Sequence, residues 1–153
     1  MAKHYHSLAL TAAIAVAFFV IAVDQWLKIV MRSFLEIHGS VDAGMIGMIM
    51  HENHGIIANI PLPTSFILMI TALALILIGW MAMHASKRGD LVSVFSFAVI
   101  FGGAISNAID RARFGYVFDW IYIFHSGVLN IADIAIGGGI LVYLWKNMVR
   151  KNS

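Results

Sequence analysis

Four long apolar stretches separated by short polar ones set the pattern of this chain. Ser7 to Val23 carries no charge and leads into Asp24-Gln25-Trp26-Leu27-Lys28. Ser65 to His84 is a run of twenty residues without a charge, and Leu91 to Ile109 is a third uncharged run. Gly127 to Trp145 is interrupted only by Asp133. About 20 apolar residues cross a hydrocarbon core of roughly 30 Å, so the pattern predicts membrane-spanning helices over roughly 7–30, 65–84, 91–109 and 127–145. Lys3 followed by an apolar run also has the look of a signal peptide, but with no small-residue cleavage pattern and three further runs, a retained first span is expected. Residues 31–64 differ, with Gly39, Gly44, Gly47, Gly55, Pro61 and Pro63 punctuating them. Within them 45–52 (MIGMIMHE) and 55–60 (GIIANI) read as short strands. The expected fold is an all-α polytopic membrane protein of four transmembrane helices. A small β-rich cradle at 31–64 lies between helices 1 and 2, and 1–153 forms one domain.

Composition sharpens this. Hydrophobic residues make up 61% and charged residues 12%, against about 45–50% and about 25% in soluble chains, and the mean hydropathy is +0.88. The formal charge of +2 and the placing of basic residues at segment ends exclude a nucleic-acid partner. The absence of cysteine excludes disulfides, thiol nucleophiles and thiolate metal sites. Lys3, Lys87, Arg88, Lys146, Arg150 and Lys151 flank one side of the expected spans, and Lys28, Arg32, Arg111 and Arg113 the other. Basic flanks stay in the cytoplasm. Both termini are therefore expected there, with the cradle facing outward.

Candidate chemistry gathers between Gly102 and Asp133, where three carboxylates, two arginines and two asparagines are bordered by apolar runs. Ionisable groups beside a hydrocarbon core are costly and mark function by default. Asp24 and Lys28, four apart with the acid first, suit a structural ion pair. Asn107, Asp110 and Arg111 share a helical face, and the arginines near Asp110 suit an architectural role. Asp119 and Asp133 have no basic neighbour in sequence. Brought together they would share a proton, one acting as general base on water and the other as acid on a carbonyl. The residues alone leave open whether these carboxylates do that or only satisfy helix-packing hydrogen bonds. His51-Glu52-Asn53-His54 has its histidines three apart rather than four, which is not the zinc-protease spacing, and no metal or other cofactor is expected.

The chain resembles the signal peptidase II family, bacterial membrane aspartyl proteases of four spans. The resemblance is carried by Val23-Asp24-Gln25 with Lys28, by Asn53-His54-Gly55, and by Gly102-Gly103-Ala104 through Asn107-Ala108-Ile109-Asp110-Arg111. Gly115-Tyr116-Val117-Phe118-Asp119 and Asn130-Ile131-Ala132-Asp133 complete it. It implies that Asp119 and Asp133 are the catalytic pair. Asn53, Gly55, Asn107, Arg111 and Asn130 would line the substrate groove, with Asp24, Lys28 and Asp110 as structural support. The implied substrate is a prolipoprotein bearing a diacylglyceryl-modified cysteine, cut before that cysteine by a monomer in the bacterial cytoplasmic membrane. The chain departs from the family's usual pattern at Ile56-Ile57-Ala58-Asn59, at Ser106 and at Ile134. Two rival readings are a small proton-coupled carrier, disfavoured by the lack of an internal repeat, and a non-catalytic lipid- or lipoprotein-binding protein of the same fold.

Overall fold

Four helices and a small sheet make up the described part of the chain, residues 2–55, 62–124 and 127–151 of a computed structural model. Helix α1 is Ala2–His38, α2 Thr64–Lys87, α3 Leu91–Phe114 and α4 Ile131–Lys151. Three of them, taken over His6–His38, Thr64–Lys87 and Leu91–Phe114, are long and apolar enough to cross a membrane. The described chain is mostly helical, as expected. It is not, however, all-α with a cradle drawn only from 31–64. Strands β1 (Val41–Asp42), β2 (Ile46–Asn53), β3 (Val117–Ile123) and β4 (Gly127–Leu129) form one antiparallel sheet in the order β1-β2-β3-β4. Half of that sheet follows α3. The expected strand at 45–52 is present as β2, whereas most of 55–60 lies outside the described residues.

Two helix boundaries also differ. The apolar run of α1 ends near Val30, but the helix continues to His38. The guanidinium of Arg32 stacks there over the rings of Phe118, Phe114 and Tyr116, at 4.8, 5.4 and 5.8 Å, so a charged residue adds packing. Helix α4 starts at Ile131 rather than near 127, because residues 127–129 pair with β3 instead. Asp133 consequently stands in the first turn of a helix and not inside a span.

Helix α3 is the hub, packing along α1, α2 and α4. Glycine makes two of those contacts possible. A Cβ on Gly102 would sit 2.7 Å from the Ala17 carbonyl oxygen, and one on Gly103 would sit 2.6 Å from that of Ala132. The triplet Gly137-Gly138-Gly139 does not form one packing face. Only Gly139 meets α3, at the Ser96 carbonyl and Ile100, while Gly137 and Gly138 face open space. Successive helical residues turn by about 100°, so three in a row cannot share a contact. At the end of α3, Gly115 caps the helix at φ 83°, a left-handed conformation that costs glycine little, and the chain turns there into β3.

The distribution of polarity is inverted relative to a soluble protein. Phe18, Phe19, Ile76 and Leu141 are 66–71% exposed, whereas Asp24, Asp119 and Asn130 are fully buried. The apolar core is modest, centred on Ala13, Val94, Phe97 and Ile100. Polar contacts concentrate at two levels. At one, His6 meets Ser86, and Lys146 binds Asp90 and Ser93. At the other, Asp24 and Lys28 meet α3 and the start of α4. Eighteen residues separate His6 from Asp24, about 27 Å along a helix, close to the thickness of a hydrocarbon core.

Candidate active site

The site is built outward from one ammonium group. Lys28 lies one helical turn after Asp24 on α1, and its Nζ donates to Asp24 Oδ2 at 2.8 Å, Asp110 Oδ2 at 2.8 Å and Asn107 Oδ1 at 3.0 Å. An ammonium has three hydrogens, and all three are used. The expected Asp24–Lys28 pair is therefore present. The architectural partner of Asp110 is Lys28 rather than its sequence neighbours Arg111 and Arg113. Adjacent residues on a helix point about 100° apart, so Arg111 looks elsewhere. Gln25 Nε2 donates to Asp110 Oδ1 at 2.8 Å, and the Phe118 amide donates to Asp110 Oδ2 at 3.3 Å, tying β3 to α3. Asp24 accepts from Ser106 Oγ at 2.6 Å and, through its other oxygen, from the Ala132 amide at 2.8 Å. Ser106, a departure from the family pattern, is thus a fully buried donor to Asp24.

Above this base, Asn130 caps α4. Its Oδ1 accepts from the Asp133 amide at 2.9 Å, and the Asp133 carboxylate accepts from the Asn130 amide at 3.3 Å. This is the reciprocal geometry of a capping box. The same Asn130 reaches backward through Nδ2, donating to Asp119 Oδ1 at 2.5 Å and to Asn107 Oδ1 at 3.1 Å. Asn107 Nδ2 in turn donates to Asp133 Oδ1 at 2.8 Å. Two asparagines thereby link two carboxylates that lie fourteen residues apart on different elements.

Asp119 projects from β3 and accepts a second amide hydrogen bond, from Asn53 Nδ2 to Oδ2 at 3.0 Å. The β2–β3 register pairs Asn53 with Val117 and His51 with Asp119, so Asn53, His51 and Asp119 share one face of the sheet. Asn53 Oδ1 accepts from the Gly55 amide at 3.0 Å, and Gly55 gives its carbonyl to Arg111 Nη2 at 2.6 Å. The Nε of Arg111 is buried and has no partner among the described residues. His54 turns away, edge-on to Tyr116 at 5.4 Å.

Opposing influences act on the Asp119 carboxyl. Burial, and then the negative charge of Asp133, push its carboxyl up to about 6, against the opposing pull of the Asn53 and Asn130 hydrogen bonds and of Lys28. Asp119 is closed off, whereas Asp133 is only half-buried. A carboxylate that holds its proton near neutrality, beside a second one reachable from outside, can trade protons with a water and a bound carbonyl.

Every candidate residue from the sequence falls in this one network: Asp119, Asp133, Asn53, Gly55, Asn107, Arg111 and Asn130, with Asp24, Lys28 and Asp110 below them. Sequence reasoning passed over Gln25, and over the capping role of Asn130. The signal for the second was present in Asn130-Ile131-Ala132-Asp133, an N-cap residue followed three positions later by an acid and leading into an apolar run.

Comparison with known proteins places the fold and the family. Solved bacterial membrane enzymes share the fold. One superimposes with a TM-score of 0.81 at 24% identity, covering 94% of this chain and 90% of its own. A second has a TM-score of 0.75 at 25% identity, covering 89% and 92%. The lipoprotein signal peptidase of Syntrophotalea carbinolica is 30% identical over 149 residues, 88% of this chain and 91% of that protein. That of Caldanaerobacter subterraneus is 34% identical over 140 residues, 86% and 94%. The profile of the family described as signal peptidase (SPase) II matches residues 16–149, and the chain belongs to that family of membrane proteases.

Proposed function

We propose that this protein is an aspartyl endopeptidase that removes the signal peptide of diacylglyceryl-modified prolipoproteins, cutting before the lipidated cysteine. Its relatives are lipoprotein signal peptidases, and neither a carrier nor a non-catalytic lipid-binding role is favoured beside them. The observation that carries the aspartyl mechanism is the bridging of Asp119 and Asp133 by Asn130 and Asn107. The two carboxylates share one proton and titrate as a unit. The ionised one takes a proton from water, whose oxygen attacks the scissile carbonyl, while the protonated one donates to the carbonyl oxygen. Collapse of the tetrahedral intermediate breaks the C–N bond, and the cysteine's amino group leaves with a proton returned by the dyad. Asn53, Gly55, Asn107, Arg111 and Asn130 hold the peptide, and the Nε–H of Arg111, without a partner among the described residues, is a donor for one of its carbonyls.

The membrane arrangement belongs to the same proposal. Helix α4 is 21 residues long, about 31 Å, enough for a fourth span once its polar first turn is placed at the boundary. All 153 residues form one membrane domain, a monomer in the bacterial cytoplasmic membrane with both termini inside. The sheet and the dyad lie at the outer face, where water reaches Asp133 and the diacylglyceryl group stays in lipid. Purified protein incubated with a diacylglyceryl-modified prolipoprotein should release the signal peptide, and the unmodified precursor should remain intact; cleavage of both alike would remove the lipid from the substrate definition. For topology, a cysteine at exposed Ser40 should react with an impermeant thiol reagent in intact cells and one at exposed Arg88 should not. Labelling at position 88 would invert the orientation.

A further inference from the structure

The end of the molecule away from the dyad carries a cavity of about 520 Å³ between the start of α1 and the α2–α3 turn. Its lining is amphipathic. Leu8, Leu91 and Phe95 supply an apolar wall, and His6, Ser86 and Lys87 a polar rim. The rim is ordered by the fold. Ser86 is buried, and its Oγ lies 2.6 Å from His6 Nδ1 and 3.3 Å from the His6 carbonyl oxygen. His6 Nε2 has no hydrogen-bond partner among the described residues. The local charge is positive and uncompensated. Lys87 and Arg88 have no carboxylate within ion-pair distance among the described residues, and Asp90, the nearest acid in sequence, is engaged by Lys146.

We propose that this cavity binds an anionic glycerophospholipid of the adjoining leaflet, its phosphate held by Lys87 and His6 and the upper part of an acyl chain laid against Leu8, Leu91 and Phe95. Basic pockets between membrane helices suit such headgroups. A lysine on the rim can keep its stem on apolar surface while its ammonium meets the phosphate. A zwitterionic lipid carries its own cation beside the phosphate and gains less from the uncompensated Lys87. A soluble phosphate would find the charge but leave the apolar wall bare. The site is remote from Asp119 and Asp133, so it does not rest on the catalytic reading, and turnover is not its readout.

The test is native mass spectrometry of the full chain in detergent, with phosphatidylglycerol or phosphatidylcholine of matched chains. One phosphatidylglycerol should be retained in preference to phosphatidylcholine. Lys87→Gln should lower its occupancy about five-fold, the effect of one basic charge at a membrane surface. Leu8→Trp, which fills the apolar side without altering charge, should lower it as well. Arg150→Gln, an exposed base on the last turn of α4, should not. Both Lys87 and Leu8 are exposed, so these variants should fold. Equal retention of the two lipids, or no change on Lys87→Gln, would overturn the proposal. So would inorganic phosphate displacing the lipid while Leu8→Trp has no effect, which would mark an anion site rather than a lipid site.

Discussion

Asn130 and Asp133 cap each other across the first turn of α4, so the asparagine that holds Asp119 also fixes the start of the helix bearing Asp133. Positioning of the site and stability of the fold therefore pass through one side chain, and substitutions at Asn130 should separate them. Asn130→Asp keeps a good N-cap but sets a carboxylate against Asp119 Oδ1. It should yield folded protein whose kcat falls at least 100-fold. Asn130→Ala loses the cap, worth about 1 kcal/mol, and also removes the donor to Asp119, so both melting temperature and activity should fall. Thermal unfolding in detergent beside a cleavage assay reads the two effects. An Asn130→Asp variant with near wild-type kcat would remove the bridge from the mechanism.

Lys28 should behave as a structural cation. It is shared by Asp24, Asp110 and Asn107, and removing one partner of a buried ion pair leaves uncompensated charge, typically costing 3–5 kcal/mol. Lys28→Met is expected to lose about that much. Asp24→Asn should reduce the yield of folded protein at least as much as it reduces turnover per folded molecule, because Asp24 also binds Ser106 and the Ala132 amide. A well-folded, inactive Asp24→Asn protein beside an active Asp119→Asn protein would show that the dyad had been chosen wrongly.

These two residues also show what could be read from sequence and what could not. The Asp24–Lys28 pair was legible because it depends on spacing along one helix. The partner of Asp110 was not, because it sits on α1, eighty-two residues away in sequence. Strand β3 was overlooked although Val117-Phe118-Asp119-Trp120-Ile121-Tyr122-Ile123 is rich in β-branched and aromatic residues; its pairing with β2 spans the whole of α2 and α3. The continuation of α1 past Arg32 depends on three rings supplied by the end of α3, the turn after it and β3, and hydropathy carries no trace of that. Asp119 and Asp133 drew notice for lacking basic neighbours in sequence, and the family resemblance implied them as a pair, but what links them is Asn130 and Asn107, whose amides work in both directions.

The approach of α3 to α4 should be intolerant of a methyl group. A Cβ at Gly103 would meet backbone at Ala132 and the Ile136 side chain at 2.9 Å, next to the turn that carries Asp133. Gly103→Ala should cost about 1–3 kcal/mol, as overpacking does, and lower kcat by displacing α4. Gly138→Ala, where nothing lies within 4 Å, should be neutral or slightly stabilising through helix propensity. Equal melting temperatures for the two variants would contradict the close approach.

Stability should depend on pH through Asp119. Its carboxyl is raised from 3.8 to about 6 in the folded protein, so between these values the folded state binds more protons than the unfolded state. Stability contributed by the protonated form is full below about 4 and is lost as pH rises through about 6. The shift corresponds to roughly 2–3 kcal/mol at 1.36 kcal/mol per unit. Melting measured from pH 4.5 to pH 7.5 should show this decline in the wild type, and Asp119→Asn should flatten it. An undiminished decline in Asp119→Asn would place the titrating group elsewhere.

Replacing each carboxylate of the dyad by its amide tests the mechanism directly. At Asp119 both oxygens face amide donors, and those donors cannot turn over: Asn53 Oδ1 is held by the Gly55 amide and Asn130 Oδ1 by the Asp133 amide. At Asp133 the donors are Asn107, whose Oδ1 is held by Lys28 and Asn130, and the Asn130 backbone. An asparagine at either position therefore forfeits one hydrogen bond, worth about 1 kcal/mol, a modest loss that leaves the protein folded. The chemical loss is far larger. Without one carboxylate the water has no base or the carbonyl no acid, and general acid–base contributions run to about 10²–10⁴-fold. Asp119→Asn and Asp133→Asn should each lower kcat by about 10³-fold or more, the double variant should add little because the pair acts as a unit, and lipid-modified precursor should still bind all three. The rate should fall on both sides of a pH optimum, as one shared proton requires, and cleavage should continue in the presence of a chelator. Folded single variants that turn over near the wild-type rate, or activity abolished by chelation and restored by zinc, would refute the dyad.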